Sequence, residues 1–238
     1  MQTLRLDIWS DIACPWCYIG KRHLELALTG FAHADRVEIV WRSFELDPKA
    51  PAIRDTTQSY PERLAAKYRV TTAQAQQMID RVVGAGARVG IELHYDRVQS
   101  GNTFDAHRLL HWALERGAQG ALKERLMRGY MTEGAAIGDR DTLVGLARDV
   151  GLDADEARAV LADGRYADAV RADQALAREL GITGVPFFVL AGRLGVSGAQ
   201  PVETMAAMLT KAWELAAPAI EVGAPAADGA TCGPDGCD

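Results

Sequence analysis

Two cysteines separated by a proline and a tryptophan, Cys14-Pro15-Trp16-Cys17, are the residues of this chain best suited to chemistry. A thiol reacts as its thiolate, and a cysteine at a helix N-terminus gains that form from the unpaired backbone N–H groups and the helix dipole. Pro15 suits the first helical position, where a missing N–H costs nothing, and Cys17 falls one turn further along the same face. The spacing makes Cys14 the attacking thiol and Cys17 the resolving one, which breaks a mixed disulfide formed on Cys14. The N-terminal sulfur is expected to feel the stronger field and to be the more exposed. C-x-x-C also forms half of many zinc sites. Here the other cysteines, Cys232 and Cys237, have the looser C-x4-C spacing and lie in an Ala-, Gly- and Pro-rich tail, so a structural zinc is disfavoured and no metal site is expected. The Gly-Pro-Asp-Gly between them can turn the chain into a small disulfide loop. That makes Cys232 and Cys237 a candidate second redox pair, the alternative being a surface pair that oxidises passively. His107 and His111 stand one helical turn apart without an obvious third ligand, and packing or a surface role is expected of them.

These residues need elements to hold them. Leu4 to Trp9 alternates and is rich in strand formers, a short loop follows, and Trp16 to Leu28 carries a helical pattern that stops at Gly30. Arg36 to Phe44 reads as a second strand, completing a β-α-β unit with a parallel crossover. Helical windows then follow at Pro61 to Tyr68, Thr72 to Val89, Thr103 to Arg116, Ala121 to Met131, Thr142 to Val150 and Asp155 to Leu180. Gly90, Gly117, Gly120, Gly134, Gly138, Gly151 and Gly181 punctuate them as stops. Strand character returns at Pro186 to Ala191 and Leu194 to Ser197, joined by a glycine-containing turn, and a last helix spans Pro201 to Leu215. The class is α/β, with an order β-α-β, helical insertion, β-β-α. Residues 218–238 lack a periodic apolar face and are expected to form a flexible tail, whose tether spans roughly 20 Å.

The chain has 238 residues, 48% of them hydrophobic, and a formal net charge of −6. Its cations are scattered among acids, so no nucleic-acid partner is expected. Arg5 and Asp7 interrupt the apolar N-terminus, which does not read as a secretory signal, and the expected location is cytoplasmic. No window approaches eighteen consecutive apolar residues, so no membrane partner is expected either. The sequence is compatible with a monomer or a dimer.

Three segments carry a family resemblance. Ser10 to Gly20 (SDIACPWCYIG), Gly184 to Phe188 (GVPFF) and Val196 to Gln200 (VSGAQ) resemble the DsbA oxidoreductases, most closely their FrnE-like branch. The resemblance covers residues 1 to about 216 and implies a thioredoxin-like domain made of residues 1–55 and 181–217, with 56–180 as the helical insertion. It implies a cis bond before Pro186 that faces the dithiol, with Val185 offering its backbone groups to an extended substrate segment. A trans proline opening an edge strand is the other reading. Trp16 either tunes the dithiol and presents an apolar face to a partner, or packs the helix on the insertion. Asn102 to His107 resembles an insertion-helix motif close to the active site, and also reads as a plain N-cap with Asp105 in the reciprocal position.

The implied activity is thiol–disulfide exchange on disulfide-containing or thiol proteins. It needs no cofactor beyond the redox-active disulfide, with glutathione or a thioredoxin-type donor supplying electrons. The glutathione-dependent kappa-class transferases and hydroxychromene carboxylate isomerases share the layout but typically carry serine at the active position. A chaperone-like binder of unfolded proteins is a non-enzymatic alternative.

Overall fold

The computed structural model describes residues 2–53 and 57–216, with the backbone of 232–233 and 236–237. β1 (Leu4–Ser10), α1 (Pro15–Thr29) and β2 (Val37–Ser43) come first, and β3 (Phe187–Leu190), β4 (Leu194–Ser197) and α9 (Val202–Ala216) come last. Between them run α2 (Tyr60–Tyr68), α3 (Thr72–Ala87), α4 (Phe104–Leu114), α5 (Gln119–Arg128), α6 (Arg140–Arg148), α7 (Ala154–Asp163) and α8 (Ala167–Glu179). The sheet order is β2-β1-β3-β4. β1 is central and almost wholly buried, as expected of a strand with elements on both faces.

Strand direction explains how distant segments meet. β1 and β2 are parallel, whereas β1 and β3 are antiparallel with Trp9 opposite Phe187. The end of β1 therefore lies beside the start of β3, and the loop leading to Cys14 lies next to Val185 and Pro186. Leu4, Leu6 and Ile8 face a core completed by Leu24, Phe188, Met205 and Leu209 from α1, β3 and α9. The alternate residue Trp9 points to the other face, against Ala177 and Ile182, and donates its indole N–H to the Asp173 carbonyl at 2.9 Å.

The insertion builds its own core from α4 to α7, including Leu109, Trp112, Leu126, Leu143 and Leu161. Ile12, Cys14, Cys17, Tyr18 and Ile19 belong to that core and not to the one under the sheet. α2 and α3 each begin with a reciprocal capping box, Ser59 with Glu62 and Thr71 with Gln74. The single helix expected from Asp155 to Leu180 is two. Gly164 at φ 78° ends α7, and Tyr166 at φ 64° precedes α8. The carbonyls freed there are taken up by the buried Arg108 guanidinium, which donates to the backbone oxygens of Val160, Leu161 and Arg165. Gly120 is not a helix stop, since it lies inside the first turn of α5.

Most of the expected tail lies outside the described residues. What is described is the backbone of β5 (Cys232–Gly233) and β6 (Gly236–Cys237), antiparallel with Cys232 opposite Cys237.

Candidate active site

Cys14 is the N-cap residue of α1, with φ −95° and ψ 112°, and Pro15 occupies the first turn. No side chain caps this end, which leaves the positive end of the helix dipole beside the thiols. The Cys14 carbonyl accepts from the N–H groups of Cys17 and Tyr18, which closes the first turn and holds both sulfurs on one side. The Cys14 Sγ lies 3.6 Å from the Val185 carbonyl oxygen, to which its thiol donates. The Val185–Pro186 peptide bond is cis.

The segment Val196 to Gln200 holds this proline loop in place. The Gly198 N–H donates to the Pro186 carbonyl at 2.8 Å, from a backbone at φ +83° that favours glycine. His23 Nδ1 on α1 meets the Gln200 carbonyl at 2.7 Å. One turn earlier, Gly20 lets the chains close up: a Cβ there would stand 3.1 Å from Pro186 Cγ and 3.4 Å from Ala199.

Behind the thiols lies a buried set of charges. Asp11 accepts the Leu46 N–H at 2.8 Å, and its other oxygen stands 3.4 Å from His107 Nε2 on α4. Burial pushes the Asp11 carboxyl up, but His107 and the Leu46 N–H outweigh it and hold the acid below its ordinary value. Lys123 on α5 is fully buried, with Nζ 3.5 Å from the Ser10 carbonyl and 5.5 Å from the centre of the Trp41 ring. The Ser10 hydroxyl has no hydrogen-bond partner of good geometry and lies against Cys17.

The two thiols are reduced and in hydrogen-bond contact, so they titrate as a pair. Burial raises Cys17, but the Cys14 thiol, the Lys123 charge and the Ser10 hydroxyl outweigh it and lower its pKa. Cys14 is pushed well up, by its hydrogen bond to Cys17, by burial and by the Cys17 charge. One negative charge is thus shared by the two sulfurs, supported by Lys123 and Ser10 from behind Cys17 and by the N-terminus of α1 from the Cys14 side. Cys14 remains the more accessible, at 5% exposure against 1% for Cys17.

Trp16 is 43% exposed, which leaves part of its surface open to solvent. Tyr60 and Tyr95 pack against the cluster that contains Cys14, and their rings lie 4.7 Å apart. Both line an open cleft of about 730 Å³ between α2, α3 and the segment around residues 93–99. Burial raises both phenols, and a charge on Cys14 raises them further.

The model of the DSBA-like thioredoxin domain matches residues 5–210, most of the chain. The chain belongs to this family. A solved structure of a probable DsbA oxidoreductase from Streptomyces coelicolor is 48% identical, covers 99% of this chain and 98% of its own, and superposes with a TM-score of 0.82. The uncharacterized protein YwbO of Bacillus subtilis is 30% identical over 79% of this chain and 87% of its own. The fold is shared at lower identity by the cytosolic disulfide reductase DsbM of Pseudomonas aeruginosa (19%, TM-score 0.60, 89% of this chain and 99% of its own). A 2-hydroxychromene-2-carboxylate isomerase shares it as well (13%, TM-score 0.62, 87% and 95%).

In this DsbA-family chain Cys14, Cys17, Val185 and Pro186 come together, and the side chains of Cys232 and Cys237 lie outside the described residues. His107 and His111 diverge: His107 faces Asp11, whereas His111 Nε2 meets Asp173 at 3.0 Å and the Ser43 hydroxyl at 3.1 Å. Asp105 does not serve as a reciprocal cap and instead pairs with Arg108 and Arg140, while Asn102 accepts the Phe104 N–H. Asp11, Ser10 and Lys123 were not singled out from the sequence. Lys123 does carry a signal, because 119, 122, 123, 126 and 127 form the buried stripe of α5 and a lysine interrupts it.

Proposed function

We propose that this protein is a thiol–disulfide oxidoreductase in which Cys14 attacks a substrate disulfide and Cys17 resolves the product. The observation that carries the reading is the Cys14 sulfur at the α1 N-terminus, 3.6 Å from the Val185 carbonyl, with Cys17 behind it. The N-terminus of α1 stabilises the thiolate of Cys14, the sulfur a substrate reaches. The Cys14 sulfur then bonds to one substrate sulfur, and the other leaves as a thiolate. Cys17 attacks Cys14 and releases the second. Val185 supplies backbone groups to an extended substrate chain, the exposed Trp16 offers an apolar face, and the cleft beside Tyr60 and Tyr95 has room for the adjoining segment.

The substrates are disulfide-containing or thiol proteins in the cytoplasm, with electrons from glutathione or a thioredoxin-type donor and no metal or organic cofactor. The glutathione poise there, roughly −220 to −320 mV, favours reduction or isomerisation over net oxidation. Cys232 and Cys237 form a second pair that exchanges with the first, and the FrnE-like assignment rests on the three sequence motifs. Insulin reduction tests the core of the reading. Cys14→Ser is expected to abolish turnover, and Cys17→Ala to accumulate a mixed disulfide visible by mass spectrometry. Wild-type turnover by Cys14→Ser, or conjugation or isomerisation activity surviving loss of both cysteines, overturns it.

A further inference from the structure

We propose that Asn102, just before α4, is a positioning residue that holds the 44–53 segment beside the dithiol, where this segment is the wall on which a polypeptide substrate lies as its sulfur meets Cys14. The proposal rests on the dithiol chemistry above and adds to it a preference for protein disulfides over small ones.

The chain between β2 and α2 carries no helix or strand among its described residues. A long connection of this kind is usually functional, and its order has to be supplied by contacts from outside it. At its start, the buried Glu45 carboxylate accepts from Arg171 at 2.9 Å and from Gln174 at 2.7 Å, both on α8. Next to it the Leu46 N–H donates to the Asp11 carboxylate at 2.8 Å, and the Asp11 carbonyl accepts the Cys14 N–H at 3.3 Å. One residue thus links the segment to the reactive cysteine.

At the other end Asn102 takes hold. Its backbone N–H donates to the Pro51 carbonyl at 2.9 Å, and its side-chain Nδ2 donates to the Ala50 carbonyl at 3.2 Å and reaches the Pro48 carbonyl at 3.5 Å. The Oδ1 of the same amide accepts the Phe104 N–H at 2.8 Å. The oxygen therefore fixes the start of α4 while the NH₂ fixes the segment, and an aspartate could do only the first. Two glycines let the chains touch. A Cβ on Gly101 would stand 2.2 Å from the Ala52 carbonyl oxygen, and one on Gly138 would stand 1.5 Å from it.

With its carbonyls engaged by Asn102, the segment leaves Leu46 and Ile53 exposed, together with Pro48 and Pro51. Further along the chain, Tyr60 packs against the cluster that contains Cys14 and lines the cleft. The segment therefore leads from the Cys14 loop towards the cleft with apolar side chains open to water. Such a surface fits an extended polypeptide whose apolar residues flank its cysteine, because both sides gain by leaving water. The occupant is the substrate itself, since a wall beside Cys14 is reached by whatever bonds to Cys14. A small disulfide has no side chains to lay on Leu46 and Ile53.

Full-length Asn102→Asp, Asn102→Ala and Gly138→Ala proteins test this. Asn102→Asp keeps the capping oxygen and loses the side-chain donor, Asn102→Ala loses both, and Gly138→Ala displaces Ala52 without touching Asn102. The readouts are KM and kcat for insulin reduction, the rate with bis(2-hydroxyethyl) disulfide, the first thiol pKa, and binding of S-carboxymethylated insulin B chain, which needs no redox step. All three variants are expected to raise KM for insulin and Kd for the blocked chain about fivefold, because the segment occupies its held position less once a hydrogen bond or its seat is lost. The kcat, the small-disulfide rate and the thiol pKa should stay at wild-type values, and Asn102→Ala alone among the Asn102 variants should lower Tm through the lost cap.

Wild-type KM and Kd in both Asn102→Asp and Gly138→Ala overturn the proposal and leave the dithiol reading intact. Equal losses towards insulin and the small disulfide also overturn it. A wild-type protein that reduces neither disulfide overturns the dithiol reading, and binding of the blocked chain then decides the wall by itself. If the variants do not fold, hydrogen exchange on the wild type decides: the amides of residues 46–53 must gain protection when the blocked chain binds, and unchanged protection overturns the proposal.

Discussion

Replacing Asp173 by asparagine should destabilise the fold without touching the dithiol. Asp173, buried on α8, accepts the Ser43 N–H at 2.8 Å and Arg42 Nη1 at 2.9 Å, and meets His111 Nε2 at 3.0 Å. It therefore ties α8 and α4 of the insertion to β2. Asparagine keeps the shape and one acceptor oxygen but puts an amide NH₂ against a second donor. Two charge-assisted bonds are weakened, at about 1.5–3 kcal/mol each. Arg42 keeps Asp7 at 2.8 Å and partial contact with water, which softens its share. A net loss of about 2–3 kcal/mol is expected, and with a urea m-value near the top of the usual range of about 1–3 kcal/mol/M, the midpoint falls by about 1 M. The pH dependence has a definite sign. Burial pushes the Asp173 carboxyl up, but His111, the Ser43 N–H and Arg42 outweigh it and hold its folded pKa below the unfolded value. The stability it contributes is present above an unfolded pKa of about 3.9 and lost as pH falls through the lower folded value, so the gap between wild type and Asp173→Asn closes in acid. Urea curves at neutral and acid pH measure both parts. A midpoint shift under about 0.3 M at neutral pH, or a gap that persists in strong acid, refutes the reasoning, and thiol acidity should be unchanged.

Arg108→Met leaves the carbonyls of Val160, Leu161 and Arg165 without their donor and should cost about 3–4 kcal/mol, with hydrogen exchange showing the end of α7 opening first. Gly20→Val places a branched side chain where even a Cβ stands 3.1 Å from Pro186, so it should raise KM for a protein disulfide while the first thiol pKa stays put. Steady-state insulin reduction alongside thiolate titration would contradict this by an unchanged KM. Asp11 is a buried acid with a lowered pKa, so it too contributes stability above about pH 3.9 that disappears as pH falls through its folded value. Thermal melts between neutral and acid pH should fall less steeply for Asp11→Asn than for wild type, and parallel curves would argue against that account.

The sequence by itself determined what depends on neighbours in the chain. Cys14 and Cys17 at a helix start, strands at Leu4 and Val37, and a helix-rich middle follow from residue type, spacing and period, which local physics sets. The break at Gly164 was missed because glycine inside a helical pattern is ambiguous until something takes up the freed carbonyls, and Arg108 lies more than fifty residues away. Only the antiparallel pairing of β1 with β3 decided that Cys14 would meet Val185, since that register is a property of the folded sheet. Only packing of the insertion behind the dithiol decided that a buried cation would bear on its charge. Lys123 looks like any other cation of α5 until burial removes water from it, and charges exert their strongest effects where water is absent. The composition of the thiol pair was written in four adjacent residues, but its electrostatics were supplied from more than a hundred residues away.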